Sequence, residues 1–197
     1  MEYSELIKER YSCKNFSDRQ VEQEKLTKIL EASRLAPTAK NLQTQHIYVL
    51  QTKKYLDILD TYCPCRYNAP TVLVFAYDKS SSYIYQETGL SSGHEDMAIV
   101  ATHAMLEAYN QGVDSCWLNR FPPVTLAKEL GLPENEEIVL LMDLGYGNTT
   151  SPLPNHYARK PLEETVTYLK KPAHAGFLYL FVQNVYPPAC VTGYIVL

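Results

Sequence analysis

The chain has 197 residues, enough for one sizeable core, and with 46% apolar and 20% charged residues it has the make-up of an ordinary globular domain. A formal net charge of -4 argues against a broad electrostatic footprint for nucleic acid, so any cationic site must be local. The start, Met1-Glu2-Tyr3-Ser4-Glu5, lacks the basic segment and apolar run of a secretory signal, so a cytoplasmic protein is expected, with neither nucleic acid nor membrane as partner. Sixteen tyrosines are many, and their apolar rings with polar tips suit interfaces and ligand clefts as well as cores.

Residues 2–10 are polar with Leu6 and Ile7 on one side, which predicts a short first helix. From Val21 the positions Leu26, Ile29, Leu30 and Ser33 repeat near 3.6 residues, and Pro37 ends the pattern, so a second helix follows. Residues 46–50 read as a strand, 53–61 as a helix and 71–77 as a buried strand rich in β-branched and aromatic residues. The strongest helix spans 93–111, where Met97, Val100, Ala101, Ala104, Met105 and Ala108 make a wide apolar face. Ser92 with Glu95 offers a capping box at its start, and Gly112 suits its end.

A strand over 113–118 comes next, then a short helix opened by Pro122-Pro123 and closed at Gly131, then a buried strand over 137–144. This interleaving predicts an α+β or α/β layer. Residues 145–154 read as a loop. Its Gly145-Tyr146-Gly147 lacks the third glycine and the following helix of a dinucleotide fingerprint, so a Rossmann site is unsupported. The regular domain is taken as residues 1–170. In the tail, 171–197, charged residues vanish after Lys171, so it must pack on the body, pair with another subunit or arise from a shifted reading frame. Five cysteines in a chain without an export signal read as free thiols, and Cys63-Pro64-Cys65 as a loop.

Cations gather in two places, Arg10 to Lys14 and Arg159-Lys160. Each cluster alone reads as solvated surface charge, and the two together as a site for a phosphate-like anion. The surrounding wording narrows this. Arg10-Tyr11-Ser12-Cys13-Lys14-Asn15-Phe16 resembles the opening motif of the nitroreductase family of flavin enzymes, Arg-Arg-Ser-x-Arg followed by an aromatic. Ala36-Pro37-Thr38-Ala39-Lys40-Asn41-Leu42-Gln43 is similar to its second motif, Ala-Pro-Ser-x-x-Asn-x-Gln. Residues 96–112 resemble the family's central helix, Cys116-Trp117-Leu118 with Asn119-Arg120-Phe121 its flavin-edge strand, and 144–164 its closing signature. The likeness runs over about residues 3–169, with five motifs in order.

The resemblance implies a nitroreductase-like α+β fold, a mostly antiparallel sheet flanked by helices, in an intertwined homodimer with FMN at its interface. It further implies reduction by NADH or NADPH and reoxidation by a small organic acceptor, a nitro compound or a quinone, in a ping-pong sequence. Arg10 and Arg159, helped by Lys160, would hold the FMN phosphate. Tyr11 and Ser12 would lie along the cofactor, and Lys14 would stabilise negative charge at the pyrimidine side of the ring. Pro37, Thr38, Ala39, Asn41 and Gln43 would come from the other subunit. Leu118, Asn119 and Arg120 would present backbone groups over the flavin, near N5, Trp117 would lie close to it, and Asn68 and Gly145 are further expected contacts.

After Gln43 the chain reads Thr44-Gln45-His46 where Pro-Trp is common in the family, so a different loop wall is expected. No side chain stands out as an obligatory acid or base, which suits chemistry carried by a cofactor. His94 and His103 are nine positions apart with no completing shell, so no metal is expected. Trp117 and Cys116 read more readily as core than as chemistry, and Glu163-Glu164 as an exposed turn. Two other outcomes stay open: a flavin-binding interaction or storage protein with little turnover, and a specialised dehalogenase-like member of the family.

Overall fold

Two strands without polar alternation set the architecture. The computed structural model describes residues 2–148, 152 and 154–169. In it Thr71–Asp78 forms β2 and Glu136–Gly145 forms β4, and the two pair antiparallel at the centre of a four-stranded sheet of order β1-β2-β4-β3. The outer strands, β1 (Gln45–Leu50) and β3 (Asp114–Leu118), are also antiparallel to their neighbours. Strands apolar on both faces require cover on both sides.

One face is covered by α2 (Gln23–Arg34) and α4 (Gly93–Asn110), which bring Leu26, Ile29, Met97, Val100 and Ala104 against Leu73, Phe75, Leu140, Met142 and Leu144. The other is covered by α3 (Lys53–Tyr62), α5 (Pro123–Leu130) and the extended segment after α1 (Tyr3–Glu9), where Cys13, Phe16, Leu59 and Leu126 meet Val72, Val74, Cys116 and Leu141. The register slips between Phe75 and Ala76, which pair with Leu140 and Ile138. The extra residue, Val139, lets both Val139 and Leu140 pack on the α2 and α4 side. Burying each such side chain contributes about 1.5–3 kcal/mol.

The α+β architecture and every helix and strand expected from periodicity are present, with ends shifted by one or two residues. Two local expectations change. Ser92 is not a side-chain cap: it is itself in the αR region, and its hydroxyl turns to Asp96 while Ser91 Oγ accepts the Gly93 N–H. Gly145 is not loop but the last residue of β4, paired with Asp114. The exit of α4 follows expectation: Gly112, at φ 69, lets Val113 N–H reach Ala108 O and its own N–H reach Tyr109 O.

Contacts divide the chain into two compact units at His156/Tyr157. The sheet and helices α1 to α5 belong to the first. The described part of the second, residues 157–169, holds a 3-10 turn, Leu162–Glu164, and an exposed ion pair between Lys160 Nζ and Glu164 Oε2 at 3.8 Å. The tail 171–197 and residues 149–151 and 153 of the expected loop lie outside the described residues. No helix among the described residues is long and apolar enough to cross a membrane.

Gly93 fixes how closely α4 approaches β2. A Cβ there would lie 2.1 Å from Tyr77 Cε2, in a buried ring whose hydroxyl donates to Glu137. Gly93→Ala is therefore expected to lower unfolding free energy by about 2 kcal/mol, although alanine favours helix over glycine by about 1 kcal/mol. Urea denaturation checks this, and a variant as stable as the parent would show that Tyr77 leaves its slot without penalty.

Candidate functional site

The first motif runs along the free edge of β3. After α1, whose last carbonyls include one that accepts the Arg10 N–H, the chain turns extended. Ser12 then bridges Ser115 in parallel, and Cys13 N–H donates to Ser115 O at 2.9 Å. Cys13 and Phe16 point inward, 3% and 2% exposed, which leaves Ser12 and Lys14 outside. Tyr11 is half-buried, edge-on to Tyr109 and His156 at 6.5 Å. Burial and the Asp114 carboxylate push its phenol pKa up, so its side chain is a settled neutral group.

Phe16 N–H donates to Tyr67 O at 3.1 Å, which ties this segment to the turn after α3. There Arg66 forks onto Asp60 through two 2.6 Å bonds and donates a third to Ala69 O. Tyr67 and Asn68 follow in the left-handed region, φ 51 and 65, a conformation that is unfavourable for non-glycine residues by roughly 1–2 kcal/mol each. Asn68 is exposed, and Lys14 Nζ lies 6.0 Å from the Tyr67 ring centroid. Ser12, Lys14 and Asn68 are thus carried by two segments joined at Tyr67.

β3 itself ends beside them. Its outer edge is paired only around Ser115 among the described residues. Trp117 is half-buried against the α2 and α4 core, with its indole N–H donating to Asn119 Oδ1 at 2.6 Å. Leu118 is buried, while Asn119 and Arg120 are exposed. Gly145, across the β3 to β4 ladder, is buried, and a Cβ there would meet Pro70 Cδ at 2.9 Å and Phe16 Cδ1 at 3.0 Å. Its smallness serves the packing of the first motif.

The second motif forms a separate loop after α2. Thr38 is extended, Ala39–Asn41 make a 3-10 turn, and Lys40, Asn41 and Gln43 all take positive φ, 51 to 53. Thr38 organises it: its carbonyl accepts Asn41 N–H at 2.9 Å and its hydroxyl accepts Gln43 N–H at 3.1 Å. Pro37, Asn41 and Gln43 are exposed. Just beyond the loop, His46 stacks on Tyr48 at 4.3 Å, and both bond to Glu136. Of the two basic clusters, the first unit contains Arg10 and Lys14. Arg159, whose Nη1 donates to Ala158 O at 2.7 Å, and Lys160 lie in the second.

The histidines singled out from the sequence have local partners. His94 Nε2 is 2.7 Å from Glu137 Oε1, and His103 Nδ1 is 2.9 Å from Ile99 O. Among the described residues no three His, Cys, Asp or Glu side chains gather as a metal shell. Two acids went unnoticed in the sequence. Asp96 is 3% exposed and bonds to Ala39 and Ser92, and Asp143 is fully buried with neither oxygen partnered in the described structure. The signal for Asp143 was a carboxylate in the run Val139 to Leu144, which is otherwise apolar, whereas Asp96 follows His94 and Glu95 and stood out only by falling four residues before Val100 on the apolar side of the helix.

A model of the nitroreductase family matches residues 7–66 and 59–146. The chain belongs to the nitroreductase family. A relative from Archaeoglobus fulgidus, provisionally named NADH dehydrogenase/NAD(P)H nitroreductase, is 32% identical over 149 residues, 72% of this chain and 83% of the relative. A nitroreductase family protein from Clostridium difficile 630 has a TM-score of 0.81 at 36% identity, covering 87% of this chain and 100% of that one. An FMN-dependent nitroreductase from Clostridium difficile R20291 has a TM-score of 0.64 at 26% identity, covering 79% and 96%.

Asp143 gives a pH dependence. Burial pushes its carboxyl up to about 9, against the pull of Arg66. The unfolded chain ionises it near pH 4, so between about pH 4 and 9 the unfolded state binds fewer protons and stability falls as pH rises. Asp143→Asn stays neutral throughout. Its stability relative to the parent is expected to grow with pH, at most by about 1.4 kcal/mol per unit, in urea titrations at pH 5, 7 and 9. A constant difference would show that the carboxyl is ionised in the fold.

Proposed function

We propose that this chain is an FMN-dependent oxidoreductase that takes hydride from NADH or NADPH and delivers it to a small organic acceptor, a nitro compound or quinone, by a ping-pong sequence. The observation that carries the reading is the joint exposure of Ser12, Lys14 and Asn68 beside the open edge of β3. When bound, FMN supplies the hydride acceptor and donor at its N5.

The donor set fits that group. A flat ring needs an edge of hydrogen-bonding groups on one side and a cation where negative charge collects. Beyond Ser115 the outer edge of β3 is unpaired among the described residues, so backbone groups of Trp117 and Leu118, and of Asn119 and Arg120 just after the strand, would be able to meet a ring. Lys14 brings positive charge, Ser12 a hydroxyl and Asn68 an amide. Arg10 would neutralise the phosphate through charge-assisted bonds. These residues bind and orient, and none is needed as an obligatory acid or base.

The exposed loop from Pro37 to Gln43 completes the site from a second copy in this reading. Its support is the outer side of α4, where Ile99 is 38% exposed in a shallow hollow of about 260 Å3 with Ala98, Thr102 and His103, together with Leu42 at 43% on the loop. An apolar helix side of this kind is suited to face its own copy in a homodimer.

The test is spectroscopic. Purified protein incubated with FMN is expected to show flavin bands, which NADH or NADPH bleaches anaerobically and a nitro compound or quinone restores. A protein that stays colourless overturns the proposal, and flavin that stays oxidised points to a binding role without turnover. Lys14→Ala is expected to lower the midpoint potential of bound FMN by about 30 mV, equivalent to 1.4 kcal/mol for two electrons, in a dye-equilibration titration. An unchanged potential would remove Lys14 from the ring.

A further inference from the structure

Asp96 lies in the first turn of α4, on its core side one turn before Val100, yet its two oxygens serve different segments. Oδ2 accepts the Ser92 hydroxyl at 2.8 Å within the helix start, and Oδ1 accepts the Ala39 N–H, also at 2.8 Å, from the loop after α2. A carboxylate this buried is costly unless donors satisfy it, so the two bonds are mutually required. The remaining hydrogen bonds described for residues 38–43 close within the loop. Besides the Ala39 to Asp96 bond, the described polar contacts of the loop to another segment come down to one, Lys40 Nζ 4.5 Å from the Tyr83 ring centroid.

The loop needs such an anchor. Lys40, Asn41 and Gln43 hold left-handed conformations without glycine, so the unanchored segment would spread over easier ones. Ala39 is the residue at which the extended chain of Thr38 enters the turn. The geometry points to Asp96 as a positioning residue for the cofactor loop: its carboxylate fixes the Ala39 amide and so presents Thr38, Asn41 and Gln43 preformed. Binding then requires less ordering, which raises affinity. This inference rests on the FMN reading above.

The chemistry separates charge from geometry. Asparagine at 96 keeps an oxygen for the Ala39 N–H, and its amide can donate to the Ser92 hydroxyl, which then accepts. Asp96→Asn should therefore rescue what Asp96→Ala loses. Because a charge-assisted bond anchors the loop, Asp96→Ala is expected to weaken FMN binding about tenfold or more. Asp96→Asn should stay within about threefold of the parent. Ala39→Pro removes the same donor from the loop side, and Thr38, at φ -133 and ψ 160, already has the conformation favoured before proline.

FMN titration by fluorescence quenching and amide hydrogen exchange over residues 38–43 test this together. Expected are faster exchange and weaker binding in Asp96→Ala, near-parental behaviour in Asp96→Asn, and a double variant, Asp96→Ala with Ala39→Pro, no worse than the weaker single one. Parental affinity and exchange in a folded Asp96→Ala, or losses that add in the double variant, overturn the inference. Should Asp96→Ala not fold, the contrast between Ala39→Pro, weakened about tenfold, and Asp96→Asn, unchanged, decides instead, and its absence overturns it. A parent that takes up no FMN refutes the flavin reading, while loop exchange that Asp96→Ala leaves unchanged refutes Asp96 alone.

Discussion

The pairing of β2 with β4 is the constraint from which the rest follows. Apart from Asp78, Glu136 and Glu137 at one end, both strands are buried along nearly all their length, so they have few side chains to present to a ligand. Helices α2 and α4 fill one side, and α3, α5 and the segment after α1 fill the other. What remains for chemistry is the rim: the free edge of β3 and the turns that pack beside it. A sheet wholly occupied with stability forces function onto strand ends and loops, where backbone groups are not already paired.

This division explains why the site is built of irregular backbone. The segment after α1 is held by Ser115 and Tyr67, and the Tyr67-Asn68 turn is fixed by Arg66 clamped on Asp60 and Ala69. A surface knot secures the same region. Arg19 lies 4.0 Å and Lys25 5.2 Å from the Tyr146 ring centroid, Ser17 bonds to Tyr146 O, and Asn148 bonds back to Asn15 and Phe16. Strained residues persist where their surroundings over-determine them, and this cluster is such a place.

Most of the fold was legible because hydrophobic period is a strong local signal. Leu26, Ile29 and Ser33 declared α2, and the unbroken run from Val72 to Tyr77 declared a doubly buried strand. The motif order singled out Ser12, Lys14 and the loop from Pro37 to Gln43, and Asn68 was a separate expectation; the structure carries Ser12, Lys14 and Asn68 on joined segments. Less legible were features that depend on partners far along the chain. Gly145 read as loop because glycine usually marks a turn, whereas its role is to admit Pro70 and Phe16. Ser92 fitted a capping pattern, but Asp96 competed for its hydroxyl. The left-handed residues at 40, 41, 43, 67 and 68 carry no glycine and so gave no local sign of their conformation.

The buried thiols have a bearing on durability. Burial pushes the Cys116 thiol up to about 12 and raises those of Cys13 and Cys63 as well. At neutral pH these sulfurs are held as thiols and not thiolates, and it is the thiolate that attacks peroxides and disulfides. Around β3 the fold thus keeps its own sulfur in the form least able to react with an oxidant.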